Sequence, residues 1–124
     1  METIKINGTD DTPGIILDAN SEVFEISGRS LPEDVTAFYD PVLNWLDEYA
    51  EKPNPKTEFV FKLTYFNTAS SKVLLDILMK LEDINNDGNE VIVKWYSPED
   101  DEDMQEAGEE YADIVDIAFE QLSY

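Results

Sequence analysis

The chain has 124 residues, 42% of them apolar, and 29 acids against eight bases give it a formal net charge of −21. One domain of this length buries a real core, and two Trp, six Tyr and six Phe exclude an intrinsically disordered chain despite the charge. The absence of Cys and His excludes disulfides, thiolate nucleophiles, the Ser-His-Asp constellation and ordinary zinc sites, and so acidic a surface repels nucleic-acid phosphates and anionic lipid.

Ile4 and Ile6 alternate with polar neighbours before the punctuation of Asn7-Gly8 and Asp10 to Gly14. Ile15 to Asp18 and Val23 to Ser27 read as two short strands of a hairpin, turning over Ala19 to Glu22. Ser30, Pro32 and Glu33 form a helix-start signal with Ser30 or Leu31 at the cap. Val35, Phe38, Val42, Trp45, Leu46 and Tyr49 then recur at helical spacing to about Glu51. Pro41 either kinks this helix or opens a second segment capped by Asp40. Pro53-Asn54-Pro55 is a firm break. The spacing then predicts a strand over Thr57 to Phe66, with Phe59, Phe61, Leu63 and Tyr65 on one side and Val60 and Phe66 on the other.

Leu74, Ile77, Leu78, Leu81 and Ile84 place a helix over Ser71 to Asn85, and Glu90 to Tyr96 is rich in β-branched and aromatic residues. Strand, helix and strand make a βαβ unit with parallel neighbours and a right-handed crossover. After Ser97-Pro98 an acidic helix opens at Asp100 or Ser97 and runs to about Asp113. The tail from Ile114 to Leu122 reads as either more helix or a short strand. The expectation is a single α/β domain spanning residues 1–124, a mixed sheet with helices packed on it. The first residues lack a basic start and an apolar run, and no run reaches the ~20 residues of a membrane span, so the chain reads as cytoplasmic.

Asp83 to Gly88 copies half of a calcium loop, but Lys94 stands where the bidentate Glu belongs and a strand follows, so the segment is a helix C-terminal turn. The run Glu99 to Asp103, with Glu106, Glu109 and Glu110, reads as a solvated face. Trp45 and Trp95 read as core. No phosphate loop or nucleophile elbow nominates catalytic residues, so no enzyme, cofactor or metal is expected.

The junction Tyr65-Phe66-Asn67-Thr68-Ala69-Ser70-Ser71-Lys72 stands out, because three hydroxyls and a cation crowd a strand-to-helix turn. Its ordinary use is capping by Thr68 or Ser70. Three hydroxyls exceed what one cap requires, however, and a helix start beyond a parallel strand favours an anion.

Those residues also carry a resemblance. Ile6-Asn7-Gly8-Thr9, Gly28 to Glu33, Trp45 to Tyr49, Leu63 to Lys72, Leu75 to Leu78 and Val91 to Trp95 resemble the SiaC-type bacterial regulatory phosphoproteins over nearly the whole chain, weakening beyond Asp113. The resemblance implies a STAS-like fold and a regulator reversibly phosphorylated on Thr68 by a dedicated kinase. A metal-dependent serine/threonine phosphatase would release it. It further implies that the bare form binds and activates a partner such as a diguanylate cyclase, raising cyclic-di-GMP and promoting biofilm. Asn67, Ser70 and Ser71 are expected to supply hydrogen bonds around Thr68, and Lys72 charge balance. The rival is a constitutive acidic module that sequesters a basic partner, with Thr68 a mere cap.

Overall fold

The computed structural model describes residues 2–124. The elements, in chain order, are β1 (Ile4–Ile6), β2 (Gly14–Asp18), β3 (Val23–Ser30), α1 (Val35–Glu51), β4 (Lys56–Phe66), α2 (Thr68–Asn86), β5 (Glu90–Ser97), α3 (Glu102–Ile114) and β6 (Ala118–Ser123). The strands lie in one six-stranded sheet in the order β1-β2-β3-β4-β5-β6. β1, β2 and β3 pair antiparallel, and β3 to β6 pair parallel with a helix in each crossover. Stepping one way across the sheet with right-handed crossovers puts all three helices on one face. The burial pattern agrees: alternate residues of β2 to β5 are fully covered, and their neighbours on the other face are half-exposed. The expected hairpin and βαβ unit are both present. Among the described residues no helix is long and apolar enough to cross a membrane.

Several boundaries differ from the sequence expectation, each for a local reason. Ser30 does not cap α1, because the sheet claims it as the buried last residue of β3. Asp34 is the cap instead, its Oδ1 accepting the Ala37 N–H at 3.1 Å. Asp40 caps nothing, since α1 continues through Pro41. That ring lies on the exposed side, where water can serve the carbonyl that loses its partner. Asp101, rather than Asp100 or Ser97, caps α3 through the Met104 N–H. The tail is a strand, and β6 runs parallel to β5.

In β4 the alternation changes step. Gly28 pairs with Leu63 but Arg29 pairs with Tyr65, so Thr64 is an extra residue, a β-bulge. Tyr65 therefore turns outward, 50% exposed, beneath the Arg29 guanidinium at 5.8 Å, contrary to its expected place beside Leu63. Phe66 turns inward toward Trp95 and Tyr111. At the far end of α2, Asn89 N–H reaches the Ile84 carbonyl and Gly88 N–H the Asn85 carbonyl, with Gly88 at φ 103°. This is a Schellman turn, and it explains the calcium-like spelling of Asp83 to Gly88.

Two buried phenols make the fold sensitive to alkali. Burial pushes Tyr39 up to about 12 against the opposing Ser30 hydrogen bond. Burial, then the nearby Glu110 carboxylate, pushes Tyr111 up to about 12. In this window the unfolded chain has released protons that the folded chain still holds. Stability is therefore undiminished below the ordinary phenol value of 10.0 and falls as pH rises from there to about 12. For Tyr39 the loss is on the order of 3 kcal/mol. Urea midpoints measured across that window should decline, and less steeply in Tyr39→Phe.

Candidate functional site

The strand-to-helix junction forms where β4 leaves the sheet. Asn67, in extended conformation, is the cap of α2: its Oδ1 accepts the Ser70 N–H at 2.8 Å and its carbonyl the Ser71 N–H at 3.0 Å. The helix thus begins at Thr68, three residues earlier than the apolar spacing suggests, and neither Thr68 nor Ser70 caps it. Asn serves because its short side-chain carbonyl reaches the third helical N–H while its own backbone stays extended.

The three hydroxyls have three different fates. Ser70 is fully buried and donates to the Ser30 carbonyl at 3.0 Å, so it points into the fold and away from Thr68. Ser71 is half-buried and donates back to the Thr68 carbonyl at 2.6 Å. Thr68 is exposed, and its hydroxyl has no hydrogen-bond partner among the described residues. The Thr68 and Ala69 N–H groups likewise find no acceptor there. An exposed hydroxyl beside two free donors at the positive end of a 19-residue helix can accommodate an anion. Lys72 is exposed one turn further along the same side of α2 and joins none of the ion pairs among the described residues.

Beside Thr68 the surface is apolar with an acidic edge. Phe66, Leu75, Tyr111 and Ile114 line a shallow groove between α2 and α3, with Lys72 and Glu110 at its edge. Ile114 is 59% exposed. A second groove across Phe66 runs between Tyr65 and the start of α3, edged by Asp101 and Asp103. Tyr111 OH donates to the Ser71 carbonyl at 2.8 Å and ties the two helices together. Among the described residues no cluster of three or more carboxylates converges as a metal site requires.

Sequence reasoning missed Ser30 and Tyr39. Ser30 lies forty positions from Ser70, yet its Oγ is 2.8 Å from Ser70 Oγ and 2.6 Å from Tyr39 OH. Nothing in the spacing around Thr68 points to either. The sequence marks Ser30 only as a candidate helix cap and as part of the segment Gly28 to Glu33. Asn67 does bond at the junction, but as the helix cap, a role that local propensity offers equally to Thr68 or Ser70.

Comparisons with known proteins identify the family and the fold. A family model described as SiaC family regulatory phosphoprotein matches residues 6–124. A Pseudomonas aeruginosa (strain UCBPP-PA14) protein described as uncharacterized is 29% identical over 119 residues, covering 96% of this chain and 94% of its own. The crystal structure of apo-SiaC from Pseudomonas aeruginosa superposes with a TM-score of 0.89 at 28% identity, covering 98% of this chain and 99% of that one. SiaC as the activator in a crystal complex with the diguanylate cyclase SiaD, also from Pseudomonas aeruginosa, gives 0.90 at 27% identity, with coverage of 98% and 99%. With a family match over nearly its whole length and a fold shared with solved members, this chain belongs to the SiaC family of regulatory phosphoproteins.

Proposed function

We propose that this chain is a non-enzymatic cytoplasmic switch. A dedicated kinase phosphorylates Thr68, a metal-dependent serine/threonine phosphatase removes the phosphate, and the bare form binds and activates an effector of the diguanylate cyclase class. One observation carries the assignment. Of the three hydroxyls at the junction, Thr68 alone is exposed and uncommitted. A phosphate there adds a charge of ~ −1.5 to −2 and three acceptors, which the free Thr68 and Ala69 N–H groups and Lys72 can meet without unfolding α2. The modified domain keeps its fold, and the change falls on the surface that an effector covers.

The rival acidic module loses its premise that Thr68 is a cap, since Asn67 fills that role. Intact-mass measurement with site mapping, on protein isolated from its own cells, tests the proposal. A single phosphate at Thr68, removed by a metal-dependent phosphatase, is the expected result. Protein that stays unmodified under every growth condition would overturn it.

A further inference from the structure

We propose that Ser30 and Ser70 are positioning residues for Thr68, joined by a buried hydroxyl relay that fixes the turn presenting it; this rests on the reading of Thr68 as the switch. The Ser30 carbonyl accepts from Asn67 N–H at 3.2 Å and from Ser70 Oγ at 3.0 Å. One acceptor on β3 therefore grips the chain on both sides of the Thr68-Ala69 step, whose own N–H groups hold nothing.

Proton counting fixes the direction of the relay, because each hydroxyl has one proton to give. Ser70 gives its proton to the Ser30 carbonyl, and Ser30 Oγ gives its proton to Ser70 Oγ at 2.8 Å. Tyr39 OH must then be the donor in its 2.6 Å contact with Ser30 Oγ. All three residues are fully buried, and no proton in the relay is left over. Capping does not require the Ser70 hydroxyl, since Asn67 uses only the Ser70 N–H. What the hydroxyl adds is the link from the helix start to the sheet. Without that link Thr68 samples more orientations, and whatever engages it must first order the turn.

The test uses Ser70→Ala in the full chain; should that variant not fold, Ser30→Ala removes the neighbouring Ser30 Oγ to Ser70 Oγ bond of the same relay while leaving the Ser30 carbonyl in place. Amide exchange at Asn67, Ser70 and Ser71 should accelerate about tenfold while Val93 and Trp95 in β5 are unchanged. Thr68 phosphate occupancy in protein from its own cells should fall about fivefold. Unchanged exchange at the junction would overturn the inference. So would acceleration that is equal in β5, which reports general destabilisation, or faster junction exchange with full occupancy. A wild-type chain without phosphate on Thr68 would remove the switch reading itself, and the exchange data would still report separately whether the relay holds the turn.

Discussion

Phosphorylation of Thr68 is expected to weaken effector docking by more than a hundredfold, with Thr68→Asp weakened in the same direction and Thr68→Ala binding as wild type does. The sign is not obvious from charge alone. The chain is already at −21, so its natural partner on a charge argument is basic, and a basic partner would welcome another anion. The surroundings of Thr68 decide otherwise. Tyr65, Phe66, Leu75 and Ile114 line the grooves next to the junction, and an effector docked over them and Thr68 would strip a dianion there of water. A differential of ~3 kcal/mol is modest for such desolvation and already exceeds a hundredfold in affinity. Asp carries less charge and bulk, so its effect is smaller, about tenfold or more. Titration calorimetry against the effector at two salt concentrations separates the readings. Equal or tighter binding by Thr68→Asp, with steep salt dependence, would favour the acidic-module rival and sink the switch.

Trp95→Ala is expected to cost ~3–5 kcal/mol, a large part of the ~5–15 kcal/mol that a domain of this kind has in total. Trp95 is 1% exposed and packs within 5.4–6.3 Å, centroid to centroid, of Phe61, Tyr111, Phe66 and Phe119. Its Nε1 donates to the Met104 carbonyl at 3.0 Å, so truncation also orphans a buried acceptor. α3 has few other holds on the sheet: Met104, Gly108 and Tyr111 are its buried residues. Exchange protection should therefore fall first in α3 and β6, and with them the Tyr111 tie to Ser71 beside the switch.

Gly108 reports on the same contact from the other side. At an exposed helix position Gly→Ala gains ~1 kcal/mol. Here the added Cβ would lie 2.5 Å from Trp95 Cδ1, against a ring already enclosed by other aromatics. Overpacking of ~1–3 kcal/mol reverses the sign. Urea unfolding of both variants checks this, and a Trp95→Ala chain within about 1 kcal/mol of wild type would contradict the assigned anchor role.

The local rules that sequence obeys were enough to set most of the elements and the parallel βαβ unit, and to single out the hydroxyl junction. Hydrophobic spacing is a property of each segment by itself, so α1, α2, β4 and β5 were legible to within a few residues. The cap positions were not, because Asp34, Asn67 and Asp101 compete with neighbours of equal propensity, and the winner depends on where the sheet releases the chain. Pro41 shows the same dependence: whether it breaks a helix turns on which side faces water. The tail became a strand because β5 offered it an unpaired edge.

Sequence alone determined that this is an acidic α/β chain without Cys or His, and that hydroxyls gather where a helix begins. Tertiary structure decided which hydroxyl remains free. Ser30, forty positions upstream of Ser70, takes that side chain into the core, and Ser71 bonds back to its own helix. Thr68 keeps a free hydroxyl in solvent, while a strand forty positions away engages Ser70 and the helix's own first turn engages Ser71.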